Sequence, residues 1–248
     1  MLVPNPKGNY SFLQGIAPYS AGAVAERGYE VVHVRFAQPV VLKAGFERVR
    51  AHLAAVKRPV QALCGMELRS PKPFTFQGFS DFNAGYIGVL KEWGIFLDDV
   101  NPVARTNIAP EIGAPSTPSL YGFSYTAPSA RKEKTFVVAG AGELPEGSLK
   151  PEDVVRRGET SADALREKTR FVMGLIAGRL QGLGVDWAQV SVTEVYTVHS
   201  ICSILASEII RPLGKAAAHG ITWHYSRPPI VTIEYEMDLR GCYREILL

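Results

Sequence analysis

What this chain has little of excludes several kinds of protein. It carries only three cysteines, Cys64, Cys202 and Cys242. Odd in number and without metal-ligand spacing, they read as reduced thiols of a cytoplasmic protein rather than as a disulfide framework. The five histidines, His33, His52, His199, His219 and His224, form no HxxxH or HxH pair, so no metal centre is expected. No stretch approaches the roughly 18 apolar residues of a membrane span, and "MLVPNPKGNYSFLQG" has no apolar run of signal-peptide length. Lysines and arginines are scattered, with a net charge of only +3. With no basic run or basic-aromatic stripe, neither a nucleic acid nor a membrane is expected as partner. The glycine-rich "AGAGELP" (139–145) has neither GxGxxG nor a Walker pattern, which argues against phosphate binding.

What is there is an ordered alternation of elements in a chain of 248 residues, long enough for two ordinary domains. "YEVVHVRF" (29–36) reads as a strand, and 44–58 as a helix with Phe46, Val49, Leu53 and Val56 on one face. A strand over 60–68 follows, then a helix capped by Ser80 or Asp81, then strands "ARTNIA" (104–109) and 119–126. The order then starts again. Residues 134–145 read as a strand ending in a glycine-rich turn, and 160–184 as a helix capped by Thr160 or Ser161 and stopped at Gly184. A strand over 187–198, a helix over 200–217 broken at Pro212, and strands over 221–229 and 230–239 complete the second half.

Two α+β modules are therefore expected, residues 1–128 and 129–248, each with two helices packed on one face of a mixed sheet. The charge-rich "SARKEK" (129–134) is the expected joint. A single irregular α/β domain is the alternative.

Arg105 is the residue that raises a functional question. On its own it reads either as an ion-pair partner of Glu111 or Asp99, or as a cation gripping an anionic ligand. Glu234 and Glu236 alternate with Ile233 and Tyr235, which puts both carboxylates on one face of the last strand. That face is either solvent or a site. Tyr19, after a proline, is either a turn-packing aromatic or a pocket wall.

Several segments resemble the RidA/YjgF family. "IAPYSAGAVAERGYEVVHVRF" (16–36) resembles its opening Gly-Pro-Tyr-Ser turn, and "GFSDFNAGYIGVLKEWG" (78–94) its second helix. "PVARTNIAP" (102–110) is similar to its Pro-Ala-Arg-Ser strand, while "VAGAGELP" (138–145) and "VTIEYEMDL" (231–239) resemble its glycine turn and final strand. The resemblance implies two tandem chorismate-mutase-like modules, assembled as a homotrimer with clefts between modules. It further implies an enamine or imine deaminase acting on a small carboxylate, aminoacrylate-like or aminomuconate-like, without cofactor or metal.

Residue by residue, the resemblance makes Arg105 the carboxylate grip, with Asn107, Gly140 and Gly142 beside the substrate and Tyr19 and Glu234 as catalytic groups. Asn107 stands where the family has a cysteine, and the second half lacks the arginine. One cleft is thus expected to draw Arg105 and Tyr19 from the first half and Glu234 with the Gly140–Gly142 turn from the second. A non-catalytic acid-binding protein and a chorismatase-like hydrolase are the alternatives.

Overall fold

In the β-strand over Tyr29–Val41 (β4), residues 30–34 are buried without a break. A strand whose two faces are both covered sits inside a layered structure. The computed structural model, which describes residues 2–248, has four such layers. Two mixed sheets lie face to face, and helices cover the outer face of each.

The six-stranded sheet is built around β4, β5 (Leu63–Arg69), β6 (Ala104–Pro110) and β7 (Ser119–Pro128). Helices α1 (Leu42–Ala55) and α2 (Phe76–Glu92) cover it, with Phe46, Leu53, Tyr86 and Leu90 packed on Val32, Met66 and Phe123. The seven-stranded sheet centres on β8 (Phe136–Gly142), β9 (Val192–Tyr196) and a strand over Glu236–Gly241, with helix α3 (Ala162–Leu183) across it. There Leu165, Val172, Ile176 and Leu180 bury one stripe of α3 against Phe136, Val138 and Met237. At ~1.5–3 kcal/mol for each fully buried aliphatic side chain, these stripes hold the outer layers on.

Strands cross between the halves of the chain. β1 (Leu2–Asn5), β2 (Tyr10–Leu13) and β3 (Gly22–Ala25) extend the seven-stranded sheet, β3 pairing with β8. At the far edge of that sheet β10 (Thr222–His224) pairs with β9. In return, β11 (Ser226–Arg227) pairs with β6, and β13 (Glu245–Leu247) pairs with β4. The Glu236–Gly241 strand, β12, lies between β8 and β9.

The α+β class is as expected; several boundaries differ, each for a local reason. α2 starts at Phe76, because the Thr75 side chain accepts from the Gly78 N–H at 3.0 Å, a full turn before Ser80 and Asp81. α3 is capped by Ser161 and ends at Gly184, which takes the left-handed conformation (φ 68°). The expected strand over 187–198 shrinks to β9, since Asp186 and Gln189 form a capping box that folds Trp187–Gln189 into a 3₁₀ turn.

The expected helix over 200–217 is irregular, a π-turn over 205–210 running into a 3₁₀ turn over 214–219. Pro212 has no N–H for the helical ladder, and Gly214 leaves helical φ at 56°. The expected strand over 230–239 begins only at Glu236. Thr232 sits at φ 75° and the Ile233 N–H donates to the Ile230 carbonyl, so residues 230–233 turn. Among the described residues no helix is long and apolar enough to cross a membrane, and no cluster of His, Cys, Asp or Glu could hold a metal ion.

Candidate active site

β6 carries Arg105 and Asn107 toward α2, and Thr106, between them, toward the other sheet. Among the described residues its outer edge is bridged only at its two ends, by Ser20 opposite Ala104 and by β11 opposite Ala109 and Pro110. Alongside the residues between them lies a cavity of about 70 Å³. That is room for a few waters or a small organic acid, and far too little for a polymer.

Tyr19, Arg105, Asn107, Gly140 and Gly142 all line this cavity. It draws on both halves of the chain. Glu234 is not among the lining residues; its carboxylate meets His199 Nε2 at 2.8 Å. Because the strand starts only at Glu236, the turn before it separates the two glutamates, and the one that lines the cavity is Glu236.

Arg105 is 3% exposed and has no carboxylate within 4 Å among the described residues. Its Nη1 donates to Asn83 Oδ1 at 2.8 Å, while its Nε is buried without a partner. Three rings enclose the guanidinium, with Tyr86, Tyr19 and Phe79 centroids at 4.8, 5.0 and 5.5 Å. Aromatic faces favour a cation but cannot neutralise it. Burial pulls the arginine's pKa down, yet a guanidinium starts high enough to stay charged. Neither Glu111 nor Asp99 is its ion-pair partner: Glu111 binds Arg227, and Asp99 binds Lys91. A buried cation without an internal anion, beside an open cavity, is arranged to receive an anion from outside.

Glu236 is the complementary group. Burial pushes its carboxyl well above the usual range, and Asp238 and Glu143 push the same way, against Arg179 and Arg105. Gly140 makes its position possible, because a Cβ there would overlap Glu236 Oε1; at Gly142 a Cβ would come within 2.9 Å of Ile233 Cγ2. The turn leading into Glu236 is fixed from below. The Glu143 carboxylate accepts from the Glu234 and Tyr235 N–H groups at 2.6 and 3.1 Å and from Lys168 Nζ at 2.9 Å, with both partners of that ion pair fully buried.

Asn107 accepts from Ser70 Oγ at 3.0 Å and leaves its Nδ2 buried and unpaired. Ile16, Phe79, Ile230 and Ile233 supply an apolar wall. The cavity therefore combines a cation, a free amide donor and a protonatable carboxyl. Such a set can orient a carboxylate and transfer a proton.

A second polar cluster lies between the sheets. His33 Nε2 meets Glu67 at 2.8 Å, Arg240 lies 3.7 Å from Glu67 and 3.5 Å from Glu194, and Tyr196 bonds to Glu194 and Asp238 at 2.8 and 3.0 Å. Thr106 bonds to Asp238 at 2.5 Å.

Comparison with known proteins shows the family to which the chain belongs. The family model described as "2-aminomuconate deaminase CnbZ" matches residues 2–246. The chain belongs to that family. It is accordingly an enzyme, a deaminase. A 2-amino-5-chloromuconate deaminase of Comamonas testosteroni is 45% identical over 244 residues, covering 97% of this chain and 96% of the relative.

Among solved structures, a chorismatase superposes with a TM-score of 0.51 at 14% identity, covering 90% of this chain and 77% of its own, a likeness of fold alone. A cyanuric acid hydrolase from A. caulinodans reaches a TM-score of only 0.37 at 11% identity, over 86% of this chain and 67% of its own.

Membership of the RidA/YjgF family is overturned by these matches. The segments that suggested it are short and degenerate, whereas the deaminase match runs the length of the chain. The names that came with it, endoribonuclease L-PSP-like included, go with it, and the non-catalytic alternative is set aside.

Sequence reasoning missed Arg179, which lines the cavity, and Asn83, which lies behind it. Arg179 was legible in principle, because it falls on the apolar stripe of α3 at helical spacing from Val172 and Ile176. Asn83, which holds Arg105, gave no signal of its own.

Proposed function

We propose that this deaminase hydrolyses 2-aminomuconate or a chain-substituted analogue to the corresponding 2-oxo-enedioate and ammonia. The observation that carries the reading is Arg105, a buried guanidinium without an internal carboxylate, in the same cavity as the protonatable Glu236. The relative named for 2-amino-5-chloromuconate, an amino-dienedioic acid, supports the substrate class.

In this reading the substrate's C1 carboxylate lies on Arg105, with Asn107 Nδ2 as a second donor and the Tyr19 ring bounding the site. Glu236, protonated in the empty enzyme, gives its proton to the diene carbon chain, and the enamine becomes an iminium. The carboxylate so formed takes a proton from water as the oxygen adds to C2. The carbinolamine then expels ammonia as its hydroxyl becomes the ketone. One water is consumed and one ammonia released, and Glu236 serves first as acid and then as base. Holding water and iminium together supplies much of the acceleration. The two halves of the chain, meeting near residue 128, divide these roles. The first brings the carboxylate grip, and the second brings the proton-transferring group.

The test is direct. Purified protein is mixed with 2-aminomuconate, and ammonia and the oxo acid are measured together. Equal amounts of both are expected. Consumption of substrate without ammonia, or no consumption, refutes the proposal.

A further inference from the structure

A second arginine lines the same cavity, and it is occupied. Arg179, 7% exposed on α3, donates from Nε and Nη2 to both oxygens of Glu146, at 2.6 and 3.0 Å. Its Nη1 is pinned to the Ala139 and Gly140 carbonyls at 2.8 and 3.3 Å. The guanidinium is therefore fixed by backbone on one edge and presents its other edge as a two-pronged carboxylate site. Glu146 is its present guest. That glutamate comes from an exposed turn, with Gly147 at φ 79° and the Ser148 N–H donating to the Pro145 carbonyl, and its side chain is 48% exposed.

Arg105 and Arg179 both act on Glu236 and on Tyr19, so the carboxyl lies within reach of two cations. One cation is empty, and the other is filled by a replaceable carboxylate. We infer that Arg179 is the subsite for the distal carboxylate of a dicarboxylic substrate, with Glu146 its stand-in until substrate displaces it. The inference rests on the reading of Arg105 as the proximal grip and adds what that reading lacks, a reason for a dienedioate over a monocarboxylic acid. Glu146 and the turn around it then double as a closing wall, held over the empty site and released by the substrate's own charge.

Calorimetric binding of two unreactive acids tests this without turnover. Muconate (hexa-2,4-dienedioate) keeps both carboxylates, and hexa-2,4-dienoate keeps one. Muconate should bind wild-type protein more tightly, and Arg179→Met should weaken muconate about tenfold or more, the loss of a charge-assisted contact, while leaving the monoacid unchanged. Because Arg179→Met also strands two backbone carbonyls, Glu146→Gln provides the second arm. It keeps the arginine, removes the competing charge, and should tighten muconate but not the monoacid.

Equal weakening of both acids by Arg179→Met, or no selective gain from Glu146→Gln, overturns the inference. The reading of Arg105 fails separately, if Arg105→Met leaves monoacid binding intact.

Discussion

Two buried polar regions of this molecule are made of the same residue types and do opposite things. Between the sheets, His33, Glu67, Arg240 and Glu194 each lie next to an opposite charge, and Asp238, pushed by burial toward its neutral form, has the Thr106 and Tyr196 hydroxyls as partners. In the cavity by β6, the Arg105 side chain has only an amide and three rings, and the Glu236 carboxyl has no hydrogen-bond partner among the described residues. Burying an unpaired charge costs several kcal/mol, and pairing recovers most of it. The inter-sheet cluster therefore compensates itself and serves as structure. The cavity leaves a cost that only a ligand can offset. What separates architecture from site here is compensation rather than residue type or depth of burial.

The comparison breaks first at Glu236. Glu236→Gln should lower kcat for ammonia release by about 10²–10⁴, the usual worth of a proton-transferring group. Burial pushes this carboxyl well above its ordinary value and so disfavours its charged form, so a neutral amide in its place should not lower the melting temperature. A large loss of stability with little loss of rate would place Glu236 with the structural cluster instead.

Arg105→Met comes next. KM should rise about 10–100-fold, from loss of a charge-assisted carboxylate contact. The pH profile supplies a sharper mark. Arg105 lowers the Glu236 pKa, so removing its charge should move the alkaline limb of kcat/KM to higher pH. An unmoved limb would show that the two groups do not share a site.

How much of this could be read beforehand follows from which forces act locally. β4, α1 and α3 announce themselves through apolar spacing and caps, because burial imposes a period on the sequence. Arg105 was legible as the residue to ask about, whereas its cavity companions Tyr19, Asn107, Gly140 and Gly142, scattered along the chain, were singled out only through the resemblance to a family that is not this chain's. The step from Glu234 to Glu236 was not. Strand alternation puts both on one face, and only the left-handed Thr232 and the Glu143–Lys168 pair beneath the turn decide where the strand begins. The hydrogen bonds by which Glu143 holds the Glu234 and Tyr235 N–H groups join residues 91 and 92 positions apart, beyond the reach of any local pattern. The exchange of β1–β3, β11 and β13 between sheets was hidden for the same reason. Pairing partners distant in the chain leave no periodic trace.

The smallest expected effect tests the other side of the comparison, that the inter-sheet cluster is structural and independent of the site. Burial alone would push the His33 imidazole down, but the Glu67 carboxylate and then Glu245 hold it up, to about 9, against a small opposing effect of Arg240. A histidine whose folded pKa lies above its unfolded value near 6.5 binds its proton more tightly when folded. Its stabilisation is fully present below about pH 6.5 and is lost as pH rises through about 9. Burial pushes the Glu67 carboxyl up, but His33 outweighs it and holds the group below its ordinary value, so it is ionised throughout that window and adds no slope there. Urea denaturation of the wild type should therefore show stability declining between about pH 6.5 and 9. His33→Gln, which can still donate to Glu67 but cannot titrate, should flatten that decline and leave the KM for substrate unchanged. A shift in KM, or an undiminished pH slope, would mean that the two clusters are coupled and that compensation of charge does not mark the boundary of the site.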